Sequence, residues 1–376
     1  MFALEALPAK HGDALLLHFG DGKLIVIDGG PPGVFTGSLQ PRLKELRKER
    51  KLAEDKPLEI ELMMVSHIDA DHITGLLDLT EKVEQKKRDG QPAPWKIRRF
   101  WFNSFDDTIA GGKASGAEAA EVGGADVSAA STEVFDGSKT VNAESVKQGR
   151  DLANRLRFLG LDGNAPFKGT VVAGKHVLQI GDLKLTVIGP NDANLKLLRD
   201  EWAKELVPIL KKEGAKAKVA DFVDNSPANL SSIVVLAEMN GKTMLLTGDG
   251  RGDHTLDELT KAGLLANGPL EIDVLKLPHH GSVRNVADAY FQQIRAKHYV
   301  VSADGKYDNP DLATMKAISK ARPDDDFTIH FTYDFDNFTE KEIGKTLRKF
   351  FDGEKAAGRK YEIVMPEAGK GTVVSP

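Results

Sequence analysis

The sequence predicts a mixed α/β fold, and three observations carry that prediction. Short apolar runs recur along the 376 residues and alternate with charged, helix-patterned segments. Most of these runs stop at a glycine-containing loop. Three such loops carry metal-capable side chains, at His67–His72, Asp249 and His279–His280, and Asp28 sits at a fourth strand end. Loops at strand ends are where α/β sheets gather ligands.

Residues 2–30 read as β-rich. Ala14–Phe19 and Lys23–Asp28 form two strands around the turn signal Asp21-Gly22, and Gly29-Gly30-Pro31-Pro32-Gly33 ends the second. Asp28 reads either as turn chemistry or as support for a metal ligand, and His11 as a surface loop residue. Residues 38–55 are helix-prone with Ser38 as cap. Leu58–Val65 is a strand whose apolar end predicts burial on both faces, and Ile97–Phe102 is another. At 106–140 Gly, Ala, Ser and Thr dominate, which predicts a flexible insertion. A helix over Ala143–Leu159 follows, then a hairpin over His176–Ile188 and a helix over Asn191–Lys212. Leu230–Met239 and Thr243–Thr247 pair around Asn240-Gly241, and a helix covers Leu256–Leu265. Ile272–Leu277 is a strand that ends at Pro278-His279-His280-Gly281-Ser282. The tail continues the alternation, with helices at 286–295, 311–322 and 339–351 and strands at 298–302, 327–333 and 361–365. His176, His254, His298 and His330 read as structural residues.

Composition narrows the function classes. Hydrophobic residues make up 41% and charged residues 28%, an ordinary globular balance. No apolar run approaches the ~20 residues needed to span a membrane, and the first residues lack the pattern of a signal peptide. Cysteine is absent, so disulfides and thiolate metal sites are excluded and any ion is held by His, Asp, Glu or Asn. A cytoplasmic location fits. The net charge of −5 does not favour bulk nucleic acid as partner. A small-molecule or phosphoester substrate is the expectation, and the oligomeric state is left open.

The densest chemistry is His67-Ile68-Asp69-Ala70-Asp71-His72, four metal-capable side chains in six residues after an apolar run. In an extended segment alternate side chains share a face, so His67 and Asp69 point at one ion. The chain then turns, and Asp71 and His72 reach a second. Imidazole and carboxylate suit zinc, manganese or iron.

These residues resemble the H-x-[HDE]-x-D-H signature of the metallo-β-lactamase superfamily. Thr247-Gly248-Asp249 resembles its strand-end aspartate, and Leu277-Pro278-His279-His280-Gly281-Ser282 its late histidine motif. Within the superfamily the chain is most similar to the metallo-hydrolase domain of ComEC-type competence proteins. That likeness adds Gly12-Asp13, Asp28-Gly29-Gly30, and Asn229 with Ser231 and Ser232, and covers roughly residues 5–310. The resemblance implies one four-layer αββα sandwich domain over 1–376, with a C-terminal α/β extension from about 311. It implies two divalent ions, zinc or manganese with iron as a further fit. One ion takes His67 and Asp69; the other takes Asp71, His72 and either His279 or His280, with Asp249 bridging. Asp71 is implied as a proton acceptor, and the second histidine of the pair as an alternative substrate contact, so Asp71, Asp249 and His280 are the expected catalytic residues. Three departures stand out. Asp69 stands where many members have His. No third histidine other than His176 lies between 72 and 249, so the His67/Asp69 ion is expected to have fewer ligands. Asn309 stands where a family loop carries His.

The expected activity is hydrolysis of an ester by metal-activated water, a phosphoester first. A carboxylic-ester, lactone or thioester hydrolase, or a non-catalytic binding protein with a partial metal site, are the alternatives.

Overall fold

The structure, a computed structural model, describes residues 1–104, 141–174, 176–197, 231–286 and 288–376. The glycine- and alanine-rich stretch read as an insertion, Asn229 and most of the helix expected at 191–212 lie outside the described residues.

Two sheets face each other. The first has six strands, β1 (Phe2–Ala6), β2 (Leu15–Phe19), β3 (Lys23–Ile27), β5 (Leu62–Met64), β7 (Phe100–Trp101) and β16 (Thr372–Val374), in the order β16-β1-β2-β3-β5-β7. The second contains β8 (Val177–Ile180), β9 (Leu183–Gly189), β10 (Val234–Met239), β11 (Lys242–Leu246), β12 (Leu270–Lys276), β13 (Ile294–Val301), β14 (Thr328–Phe331) and β15 (Glu362–Val364), and runs in reverse chain order from β15 to β8. Strands β4 (Leu58–Ile60) and β6 (Trp95–Ile97) pair in a small sheet of their own.

Period-two alternation makes this architecture. Leu15, Leu17, Ile25, Ile27 and Met64 point from the first sheet toward Leu185, Val187, Val235 and Leu246 of the second, one apolar layer between the sheets. The alternate residues Leu16, Leu24, Val26 and Met63 pack outward on the helices α1 (Gln40–Glu49), α2 (Ala70–Arg88) and α3 (Val141–Leu159). On the far side Val234, Leu236, Leu275 and Val301 meet residues of α4 (Gly252–Lys261), α5 (Asp288–Gln293), α6 (Leu312–Ala321) and α7 (Lys341–Ala356). Helix, sheet, sheet and helix are the four layers expected of an αββα sandwich. The tail adds β14 and β15 to the second sheet and returns as β16 to pair with β1 in the first, a strand the sequence reading missed.

Several boundaries differ, each for a tertiary reason. The Leu58–Val65 run is two strands: the Glu61 N–H donates to Leu24 O (2.9 Å) as the chain leaves the small sheet for the large one. The 97–102 run divides between the same two sheets, with Arg98 N–H on Ile60 O (2.9 Å). Ser38 does not cap α1; it lies in a π-helical turn, Phe35–Leu39, and its hydroxyl donates to Pro8 O (2.8 Å). Ile294 and Arg295 belong to β13, where pairing with Leu270 and Glu271 overrides the helical pattern.

One close approach positions the motif loop. Helix α2 begins at Ala70 and crosses the turn after β3 with glycine against glycine, where a Cβ on Gly75 would stand 2.0 Å from Gly29 O. The Gly75→Ala variant is expected to lose roughly 1–3 kcal/mol to overpacking, despite the helix propensity that alanine adds. Urea denaturation checks this; unchanged or higher stability would show that the contact has room.

Candidate metal centre

All the candidate residues come from the same edge of the two sheets. Asp28 follows β3, residues 66–72 follow β5, Asp249 follows β11, His279 and His280 follow β12, and Ser302 follows β13. Parallel neighbours β3/β5 and β11/β12/β13 end side by side, which brings residues more than 200 positions apart into contact.

The histidines are oriented from behind. His72 Nδ1 lies 2.8 Å from Asp28 Oδ2, and Asp28 also accepts from the Ser66 N–H (2.7 Å) and hydroxyl (2.6 Å). Asp28 adopts φ +57° at its strand end, and both its oxygens serve as supports. Asp28 thus does more than close the turn, since it fixes the His72 ring and the Ser66 side chain. His280 Nδ1–H donates to Ser302 O (2.9 Å), and His67 Nδ1 lies 3.2 Å from Ser66 Oγ. Each ring thus turns Nε2 inward, the arrangement that metal-ligating imidazoles take from a partner on the other nitrogen.

Asp249, 2% exposed, divides the histidines. Its Oδ1 lies 3.3 Å from His72 Nε2 and 3.6 Å from His280 Nε2. Its Oδ2 lies 3.8 Å from His67 Nε2 and 3.5 Å from His279 Nε2. Asp69 Oδ2 stands 3.4 Å from His67 Nε2, and Asp71 Oδ2 stands 3.6 Å from His280 Nε2 and 3.9 Å from His72 Nε2. Donor atoms of His67, His72 and Asp249, of Asp71, His72 and His280, and of His67, Asp69 and Asp71 each lie within 4.8 Å of one another. All seven expected ligands therefore meet in one cluster, and the pair on the late turn separates: His280 faces Asp71 and His72, whereas His279, its side chain 30% exposed, faces the oxygen that His67 faces. The turn achieves this with His279 and His280 both left-handed, at φ 48° and 55°, a conformation that costs roughly 1 kcal/mol per residue.

The charges are strongly perturbed. Burial alone would raise the Asp249 carboxyl, but His280, His72, His279 and His67 hold it well below the usual range. Asp71 is held low by His72 and His280 against the same penalty. Burial would lower His72 and His280; Asp249 with Asp28 raises the first well above its ordinary value, and Asp249 with Asp13 pushes the second up to about 9.

Two observations test whether divalent ions fit. His67 Nε2 is buried and, among the described residues, makes no hydrogen bond although the Asp69 carboxylate stands 3.4 Å away, a cost removed by a cation between them. His72 Nε2 and His280 Nε2 stand 3.3 Å apart, each with Nδ1 already engaged. In neutral rings two lone pairs would face each other there, which only a proton or a shared cation relieves. The residues fit.

The sequence reading missed four contributors. Ser66 and Ser302 orient rings, and no local pattern marks them. His11 is no bystander, since it lies close enough to Asp71 and His280 to feel their charge and packs edge-on against Tyr307 at 5.3 Å. Lys276 is fully buried and pairs with Asp13 at 2.7 Å. A lysine inside the apolar strand Ile272–Leu277 is the signal that would have found it.

The chain is 28% identical over 117 residues to ComE operon protein 3 of Bacillus subtilis (strain 168), covering 29% of this chain and 14% of that protein's length. Among solved structures it is similar to CmlA, a diiron β-hydroxylase from Streptomyces venezuelae, at 10% identity and TM-score 0.39, covering 100% of this chain and 54% of that one. It is also similar to a protein described as a metal-dependent hydrolase from Parabacteroides distasonis, at 12% identity and TM-score 0.34, covering 86% and 90%. Residues 7–129, which hold Asp13, Asp28 and the whole His67–His72 motif, match the model of the Metallo-beta-lactamase superfamily.

Proposed function

We propose that the protein is a hydrolase that holds two divalent ions, zinc or manganese, and cleaves a phosphoester. The observation that carries the reading is the division of Asp249 between two pairs of imidazoles, one carboxylate oxygen toward each pair. We assign His67, Asp69 and His279 to one ion and Asp71, His72 and His280 to the other, with Asp249 shared. His279 supplies a second imidazole beside His67, the ligand that the sequence leaves missing there.

Divalent ions held there supply Lewis acidity toward the attacked oxygen and a nucleophile at neutral pH. The protein's residues do the rest. Asp28, Ser66 and Ser302 keep the imidazole rings aimed. Asp71, its side chain 25% exposed at the mouth, is placed to take a proton from the attacking water. Lys306 lies near enough to His11 to act on its charge, and its ammonium sits 4.5 Å from the Tyr307 ring, so the rim presents a cation and an aromatic face. That rim favours an anionic ester over a neutral lactone or thioester. The cysteine-free sequence fits work in the cytoplasm. Among the described residues no helix is long and apolar enough to cross a membrane.

The test is elemental analysis of the purified protein, followed by assays on bis-p-nitrophenyl phosphate and on lactone and thioester panels with added zinc or manganese. The expected result is two ions per chain, phosphodiester cleavage, and loss of an ion with loss of activity in His67→Ala. A protein inert on all three substrate classes would make the site a binding site. Preferential lactone or thioester cleavage would overturn the phosphoester assignment, and activity that survives His67→Ala would move the site elsewhere.

A further inference from the structure

Behind His280 lies a buried charged pair. Asp13 and Lys276 are both 0% exposed, and Lys276 Nζ stands 2.7 Å from Asp13 Oδ2. The ammonium also donates to Leu277 O (2.9 Å). The other oxygen of Asp13 is 3.5 Å from His280 Nδ1, the nitrogen that already donates to Ser302 O. The Ser302 hydroxyl in turn donates to Gly12 O (2.7 Å), and the Asp13 N–H to Asp71 O (3.3 Å). The loop thus touches His280, Ser302 and Asp71 together, and it fits only because residue 12 is glycine: a Cβ there would stand 2.0 Å from Asp71 O.

Asp13 has donor atoms close enough to be a ligand itself. It lies within 4.8 Å of the donor atoms of Asp249 and His280, and of those of Asp28 and His72. Its rival for that role is the lysine ammonium, a cation built into the chain.

We propose that Lys276 acts as a fixed internal cation that holds Asp13 outside the metal ligand set and keeps its carboxylate behind His280, making Asp13 a positioning residue for that imidazole. The charge count agrees with this division of labour. Asp13, Asp28, Asp69, Asp71 and Asp249 are five carboxylates, and one ammonium leaves four negative charges, the complement of two divalent ions. Such a pair is costly to bury, and breaking one half leaves an uncompensated charge. Ser302 O takes the hydrogen bond of the outer nitrogen, and the Asp13 carboxylate 3.5 Å from that nitrogen adds a negative charge that raises the basicity of the imidazole, which is a chemical reason to retain the pair.

This inference rests on the metal reading, and its test separates the two. Zinc is titrated by calorimetry into chelator-stripped wild type, Asp13→Asn, Lys276→Met and the double variant, with melting temperatures measured alongside. In Asp13→Asn zinc binding is expected to weaken about 10–100-fold, with a lower melting temperature from the stranded ammonium. In the double variant the stranded charge is gone. Its melting temperature is expected to recover while zinc binding stays as weak as in Asp13→Asn. If the pair only fills space and balances charge, zinc affinity returns to the wild-type value together with the melting temperature, and the positioning role is overturned. Wild-type zinc affinity in Asp13→Asn alone would overturn it as well. A wild-type protein that takes up no zinc would instead bring down the metal reading itself.

Discussion

Replacing Asp249 with alanine is expected to abolish phosphodiester cleavage and to empty both halves of the site at once. Among the described residues no other side chain faces all four imidazoles: Oδ1 serves His72 and His280, Oδ2 serves His67 and His279. On the proposed assignment its loss removes the shared ligand of both ions, and it leaves the raised histidines without their main counter-charge. We expect kcat/KM to fall by at least about 10³-fold, about 4 kcal/mol of transition-state stabilisation at 1.36 kcal/mol per tenfold, and bound metal to fall below one ion per chain. His67→Ala, on one side only, is expected to keep more of its metal. Steady-state kinetics with elemental analysis of both variants checks the ranking. An Asp249→Ala protein that retained two ions would show that the imidazoles and Asp69/Asp71 suffice and that the shared carboxylate is dispensable.

The loss of stability with rising pH is expected to be offset on metal loading. In the chelator-stripped protein His280 is raised from its ordinary value near 6.5 to about 9, and His72 lies well above its ordinary value. A histidine whose folded pKa is raised stabilises the folded state fully below the unfolded pKa, and that stabilisation disappears as pH rises through the folded value. The melting temperature of the stripped protein should therefore fall between pH 7.5 and 9. His11, His254, His298 and His330 are lowered instead, chiefly by burial, and their effect is confined to the region below about 7. Asp249 and Asp71 are held low, so their stabilisation is present above the ordinary carboxylate pKa and is lost only in acid. Metal ions must displace protons from the same imidazoles, so zinc affinity should rise over the window in which the stripped protein weakens. The gap between loaded and stripped melting temperatures should widen with pH, as differential scanning fluorimetry at pH 7, 8 and 9 would show. A constant gap would mean that the imidazoles are already neutral before metal enters.

Both expectations rest on residues that differ in how legible they were. His67, Asp69, Asp71 and His72 announce themselves because a strand end and a tight turn place them together whatever the rest of the chain does. The apolar alternation that separates Leu15 and Leu17 from Leu16 likewise specifies two buried faces per sheet, and so helices outside and a second sheet within. These are local properties, with periods of two and 3.6 residues and strong turn residues at the breaks.

What the tertiary structure decided is everything that depends on which strands become neighbours. The split of Leu58–Val65 between two sheets, the pairing of β16 with β1 and the capture of Ser38 by Pro8 O are all choices of partner, which residue type does not encode. The same holds at the site. Sequence proposes His279 or His280 and leaves them equivalent. The left-handed turn after β12 places one imidazole on each oxygen of Asp249, because β12 lies between β11 and β13 in parallel register. Asp13 and Lys276 are 263 positions apart, and nothing short of the folded sandwich shows that each is the other's counter-ion. The chemistry of each ligand is thus a property of the sequence. Its assignment to an ion, a support or a buried charge is a property of the sheet edge, since desolvation and orientation exist only once both sheets have closed around it.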